Sequence, residues 1–218
     1  KNDLREVWQA LYAPGKRVVA QIAPAVRVAI GEEFGIPAGK NTIGKIFTAL
    51  RMLGFDTVFD TSFSADLTVI EEANELLYKL KNGEQKYPLG NSLPLFTSCC
   101  PAWVRFVETK YPELLPYVST CKSPMEMFGA VLKEYYKPAD EEAGMETVSV
   151  AVMPCVAKKH EAAREEFKRN EVPDVDYVIT TKELILMIKE LGIQFDEIEP
   201  SAPDMPFSIN SGAGVIFG

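Results

Sequence analysis

Phe96-Thr97-Ser98-Cys99-Cys100-Pro101-Ala102-Trp103 and Met153-Pro154-Cys155-Val156-Ala157-Lys158-Lys159-His160-Glu161 are the two stretches that organise this chain. Each follows an apolar, strand-like run, which places thiols where a strand gives way to a helix. Pro101 suits the first turn of the second element, because its missing N–H would be unpaired there anyway. Adjacent cysteines do not readily bond to each other across one peptide. Cys99 and Cys100 therefore read as two different jobs, one metal ligand and one reactive thiol. Thiolates at Cys100 and Cys155 are soft ligands suited to iron–sulfur clusters or zinc. Neither a C-x-x-C spacing nor a histidine ligand pattern is present, which argues against a closed zinc site. His160 lies on a charged stretch and reads as solvent-facing. Cys121 has no motif of its own and reads as structural.

Outward from these motifs the chain alternates strands and helices. Val18–Ile22 is a β-rich run, followed by Ala23-Pro24 and a helix carrying Val26, Val28, Ala29 and Ile30. Asn41-Thr42 can cap a helix with Ile43, Ile46, Phe47, Leu50 and Leu53 at helical spacing. Gly54 closes it, and Asp56–Phe59 is the next strand. A long helix lies within Asp60–Asn82, and 83–94 is a polar loop. Ser123-Pro124 opens a helix that is expected to end near Tyr136, with 137–146 as an acidic loop. Thr147–Met153 is the clearest strand, and the helix after Cys155 is expected to run from about Ala157 to Arg169. Tyr177–Thr180 is a further strand, with Thr181 capping a helix to Leu191.

That alternation predicts an α/β fold with a largely parallel sheet, in two packed lobes around a buried metal site. Sites in such sheets collect beyond the carboxyl ends of the strands, where both motifs fall. The Ser211–Gly218 tail passes from a Gly-rich turn into an apolar run and stops, which reads as a fold incomplete at its C-terminus. Residues 1–218 are accordingly expected to be the N-terminal and central part of one domain. Its remainder is expected beyond 218 or on another chain.

The net charge of −8, with both signs interspersed, argues against nucleic-acid binding, which needs a basic face. No apolar run approaches the length of a membrane span and no secretory signal opens the chain, so a cytoplasmic protein is expected. Four cysteines are too few for a disulfide scaffold and read as free thiols or ligands.

The two motifs resemble the active-site domain of the iron-only (FeFe) hydrogenases. Thr97–Trp103 matches that family's Thr-Ser-Cys-Cys-Pro-x-Trp element in full, and Met153–Glu161 matches its Met-Pro-Cys-x-x-Lys-x-x-Glu element. Ala23–Phe34, Lys122-Ser123-Pro124 and Ser211–Gly218 are similar too, so the resemblance runs from about residue 18 to the last. It implies reversible conversion of protons and electrons to dihydrogen. The implied cofactor is a 4Fe–4S cluster joined through a cysteine to a two-iron subcluster with CO, CN and a bridging dithiolate, the H-cluster. Carried over, Cys100 and Cys155 are two of the four cubane ligands, and Cys99 is the thiol that passes protons to the bridge. Lys158 donates to a cyanide, a charge-assisted bond worth roughly 1.5–3 kcal/mol. The family's proton relay maps onto Cys99, Glu72, Ser119 and Glu75. Glu72 and Glu75, three apart, share one helical face. Pro24, Ala25, Ser123, Pro124, Met125, Met153, Phe217 and Gly218 are expected to line the pocket. The implied partners are a ferredoxin-like electron carrier and the maturation proteins.

Two departures qualify the match. The motif carrying the other two cluster cysteines would lie beyond Gly218, so a remainder of the catalytic domain must supply them. Met125 stands where many members carry a polar residue, often Gln, and Met205-Pro206-Phe207 replaces a more usual Met-Gly-Glu. The alternative reading is a non-catalytic relative serving iron–sulfur cluster assembly or sensing. A metal-free scaffold with remnant motifs is a further alternative.

Overall fold

A computed structural model describes residues 3–82, 93–209 and 211–212. The chain opens with α1 (Asp3–Tyr12) and β1 (Lys16–Ile22), then the short α2 (Val26–Ala29), which tightens into a 3-10 turn at Ile30–Phe34. α3 (Ile43–Met52), β2 (Thr57–Asp60) and α4 (Ser62–Asn82) follow. α5 is Pro101–Lys110 and α6 is Pro124–Ala143. β3 (Glu146–Met153) leads to α7 (Ala157–Glu161), a two-stranded ladder of β4 (Lys168–Arg169) and β5 (Val172–Pro173), β6 (Tyr177–Thr180) and α8 (Thr181–Glu190).

The main sheet has the order β2-β1-β3-β6 with every pair parallel, as the alternation predicts. Both faces are covered, so the strands read as near-continuous apolar runs. Val18, Ala20 and Ile22 of β1 alternate with Val19 and Gln21. The first set joins a cluster with Val7 of α1, Phe47 and Leu50 of α3, and Leu184 and Ile188 of α8. Val19 instead joins Phe59, Phe128, Leu132, Tyr136 and Phe207, which ties α6 to the opposite face. Gln21 is buried there too. Its amide donates to Met125 O at 2.9 Å and its carbonyl accepts from Thr61 Oγ1 at 3.2 Å.

Three local expectations need correction and one narrows. Of the Asn41-Thr42 pair, Asn41 supplies the side-chain cap of α3 and Thr42 does not. The Ile43 N–H is taken by Asn41 Oδ1 at 3.0 Å, and the Thr42 hydroxyl donates to Arg27 O. α6 does not end near Tyr136 but continues through Pro138 to Gly144, whose φ of 63° makes the left-handed cap. Asp140 holds that extension down by pairing with Arg17 of β1 at 2.8 Å and accepting from Thr147. α7 stops at Glu161 rather than Arg169, because Arg164 takes an extended backbone and pairs with Glu108 of α5. α8 is capped by Thr180, one residue earlier than expected, in a complete capping box with Glu183. No helix among the described residues is long and apolar enough to cross a membrane.

Candidate active site

The carboxyl ends of β1 and β3 lie side by side, tied where the Ala23 N–H reaches Val152 O at 3.0 Å. The chain leaves β1 through Pro24-Ala25, both half-buried, and leaves β3 through Met153-Pro154-Cys155. β1 has β2 on one side and β3 on the other, so this is the switch point at which open α/β sheets form their crevices. The first cysteine motif reaches the crevice differently from the sequence expectation. Leu95-Phe96 is no sheet strand; Phe96 makes one isolated bridge to Val118. That bridge brings Ser119 alongside, with the Ser119 N–H on Phe96 O at 2.7 Å.

Cys100 is the N-cap of α5, its sulfur accepting the Trp103 N–H at 3.4 Å, with Pro101 at the first position. α5 packs on α7, which brings the start of one helix towards Cys155 and Lys158. Lys158 closes that contact: its Nζ donates to Cys99 O at 2.8 Å and to Glu161 Oε2 at 2.7 Å. All four cysteines are free, with Cys100 exposed and Cys99, Cys121 and Cys155 half-buried. His160 is exposed.

A file of polar groups leads inward from Cys99. Burial pushes its thiol up, Lys158 opposes that, and Glu72 reinforces it. Burial also raises the Glu72 carboxyl. The Ser119 hydroxyl and Ser98 backbone lower it, and Glu75 raises it again. Glu72 Oε1 is buried with no hydrogen-bond partner among the described residues. Ser119 Oγ donates to Glu75 Oε2 at 2.7 Å, while Lys79, an i,i+4 neighbour, pairs with Glu75 Oε1 at 3.2 Å. Glu75 and Lys79 side chains are 2% and 1% exposed, so this pair is an interior one. A hydroxyl has one proton, so with Ser119 donating to Glu75 its oxygen is left to accept, as it does from the Cys121 N–H at 3.1 Å. Cys99, Glu72, Ser119 and Glu75 are thus brought together.

Ser123, Pro124, Met125 and Met153 are all buried close by. Ser123 caps α6, and the Met125 carbonyl is held by Gln21. Phe217 and Gly218 lie outside the described residues. Among the described residues no three His, Cys, Asp or Glu side chains gather closely enough to hold a metal ion. The donor set nevertheless fits the implied cofactor in kind: two separate free thiols for a cubane, a lysine at its Cys99 edge, and a thiol beside an orphaned buried carboxyl oxygen.

Three residues were missed in the sequence. Lys79 was signalled by its i,i+4 spacing from Glu75. Cys121, read as structural, has its sulfur 3.8 Å from Glu75 Oε2 and its N–H on Ser119 Oγ at 3.1 Å. Burial pushes its thiol up to about 11. Glu126 is fully buried, with both carboxyl oxygens lacking partners among the described residues.

Residues 16–218 match the family model described as iron only hydrogenase large subunit, C-terminal domain. The chain is 48% identical to the NADP-reducing hydrogenase subunit HndD of Solidesulfovibrio fructosivorans, over 98% of this chain and 36% of that protein. It superposes on solved apo [FeFe]-hydrogenase HydA1 from Chlamydomonas reinhardtii with a TM-score of 0.84 at 42% identity, covering 100% of this chain and 55% of that one. A more distant relative is Protein NAR1 of Arabidopsis thaliana, 34% identical over 100% of this chain and 48% of that protein. The chain therefore spans only part of the length of each.

Proposed function

The chain belongs to the iron-only hydrogenase large-subunit family, and from that membership we propose that it is part of a catalytic domain that interconverts protons and electrons with dihydrogen. A two-iron unit with CO, CN and a bridging dithiolate, attached to a 4Fe–4S cluster, would supply the redox chemistry. Cys100 and Cys155 would hold two corners of the cubane, and the rest of the catalytic domain would supply the other two cysteines. Lys158 would turn a donor towards a cyanide while Glu161 and Cys99 O fix its ammonium. Pro24, Ala25, Ser123, Pro124, Met125 and Met153 would keep the pocket dry and apolar. A ferredoxin-like carrier would exchange electrons, and maturation proteins would install the two-iron unit.

The observation that carries this reading is the file Cys99–Glu72–Ser119–Glu75, half-buried at Cys99 and Glu72 and buried at Ser119 and Glu75. Interior carboxyls are costly unless they serve a purpose. Moving protons between solvent and a thiol needs such groups in sequence, whereas carrying a preformed cluster does not. With its thiol held protonated by burial, Cys99 is able to give a proton to the pocket and recover one from Glu72.

An anaerobic infrared spectrum, on protein produced with the maturation machinery, tests the reading. Sharp bands of metal-bound carbon monoxide and cyanide are expected. Cys99→Ala should keep them while losing most turnover. Bound iron without such bands would favour the second reading, a cluster-assembly role, to which the similarity to NAR1 lends weight.

A further inference from the structure

Glu126 takes no part in the file just described, yet it occupies one of the most guarded positions in the fold. Ser123-Pro-Met-Glu126 is a Ser-x-x-Glu sequence, which ordinarily sends the glutamate back to the N–H of the capping residue. Only half of that box forms: Ser123 Oγ accepts from the Glu126 N–H at 3.5 Å. The carboxyl turns inward instead, 0% exposed, with neither oxygen partnered among the described residues. The Thr180–Glu183 box, by contrast, closes in both directions. One turn further along α6, Gly129 lets the helix come so close to Asp174 that a Cβ would lie 2.4 Å from its carbonyl oxygen.

The charged groups that face Glu126 are Glu161 and Lys158 of α7, Asp174 just after β5, and Lys122 just before α6. Lys158 pairs with Glu161 at 2.7 Å and Lys122 pairs with Asp174. Each pair is internally neutral, and the exposed Arg169 only approaches Asp174 at 3.8 Å, so ionising Glu126 adds a negative charge with no partner of its own in the buried cluster. Burial, reinforced by Glu161 and Asp174 and opposed by the two lysines, pushes its carboxyl up to about 8. At neutral pH Glu126 therefore holds a proton. A cavity of about 180 Å³ is walled by Ser123 and Glu161, neighbours of Glu126, together with Arg164 and Phe167. Its wall is more apolar than polar, but Ser123, Glu161 and Arg164 offer a water hydrogen-bond partners.

We propose that Glu126 is a positioning residue for Lys158: protonated, it leaves the ammonium to Glu161 and the pocket, and ionised, it draws the ammonium towards α6. The proton it releases passes to water, and no bond other than O–H changes. The consequence for the pocket, a weaker Lys158 bond to a cyanide at alkaline pH, rests on the hydrogenase reading. The coupling between Glu126 and Lys158 does not.

Infrared difference spectra of the metal-free full chain across pH provide the test. A protonated-carboxyl band should vanish with a midpoint of about 8 and be missing from Glu126→Gln. The midpoint should rise in Lys158→Met, which removes a favourable cation, and fall in Glu161→Gln, which removes a repelling carboxylate. A band that persists in Glu126→Gln, or a midpoint unmoved in Lys158→Met, would overturn the proposal. If Glu126→Gln does not fold, the two midpoint shifts decide by themselves. In metal-loaded protein the cyanide bands should step at the same midpoint. Loaded protein without any cyanide bands, but with the midpoint shifts intact, would sink the hydrogenase reading and leave the coupling standing.

Discussion

Lys79 and Glu75 form an ion pair almost wholly out of water, joined to Ser119 and the backbone of Thr120. Removing one partner of such a pair strands a buried charge, which costs about 3–5 kcal/mol. Lys79→Met should lose stability of that order in urea unfolding, and Glu75→Gln with Lys79→Met should recover much of it. Glu72 is coupled to the same group. Its folded pKa lies above its unfolded one, so the stability it contributes is complete below the unfolded value. That contribution is lost as pH rises through the folded value. Glu72→Gln should flatten that part of the pH–stability profile, and a profile unchanged by the variant would refute the assigned burial. Local pattern made Glu72 and Glu75 legible, since residues three apart share a helix face. Ser119 is 44 residues from Glu75, and no periodicity joins them. Only the resemblance to a family could pair them in advance. Lys79 was legible in principle, but an i,i+4 lysine beside a glutamate ordinarily marks a solvated face, and the tertiary packing of α4 makes this one interior.

At the scale of elements, α6 shows how tertiary contacts override local signals. Pro138 argues for a helix end, because an interior proline costs about 3 kcal/mol. The helix continues because Tyr136 packs in the Phe59–Phe128 cluster and Asp140 is held by Arg17. Neither partner is near in sequence. α7 errs in the other direction: its helical-looking continuation is drawn apart by the Arg164–Glu108 pair. Gly129 on α6 yields a test. Alanine gains up to about 1 kcal/mol over glycine in a helix interior. Here the added carbon would stand 2.4 Å from Asp174 O and 2.7 Å from a Val175 methyl, and backbone cannot yield cheaply. Overpacking of this kind costs about 1–3 kcal/mol, so Gly129→Ala should destabilise, as read by thermal unfolding. A neutral or stabilising result would mean that α6 and the Asp174 segment do not approach as described.

For the whole molecule, the parallel sheet was legible because buried strands, helix caps and crossover lengths agree with one another. Strand order was not, because β2-β1-β3-β6 depends on which neighbours α3, α6 and α8 allow. Burying carboxyls beneath those layers gives the molecule a characteristic response to pH. Glu108 and Glu183 have lowered pKa values, so their stabilisation is present above the unfolded value and lost as pH falls through the folded one. Glu126 and Asp176 act in the opposite sense. For Glu126 the folded state keeps its proton from pH 4.5 to about 8 while the unfolded chain has released it. A difference of one bound proton lowers stability by about 1.4 kcal/mol per pH unit across that window. The denaturation midpoint should therefore decline from mildly acid to mildly alkaline pH and level off above 8. Glu126→Gln keeps the shape of the side chain without its charge, so that variant should flatten the decline and outlast the parent protein at alkaline pH. Urea titrations of both proteins at matched pH values measure this directly. Parallel declines would mean that Glu126 has released its proton in the folded state as well as in the unfolded one, and that its carboxylate is partnered after all.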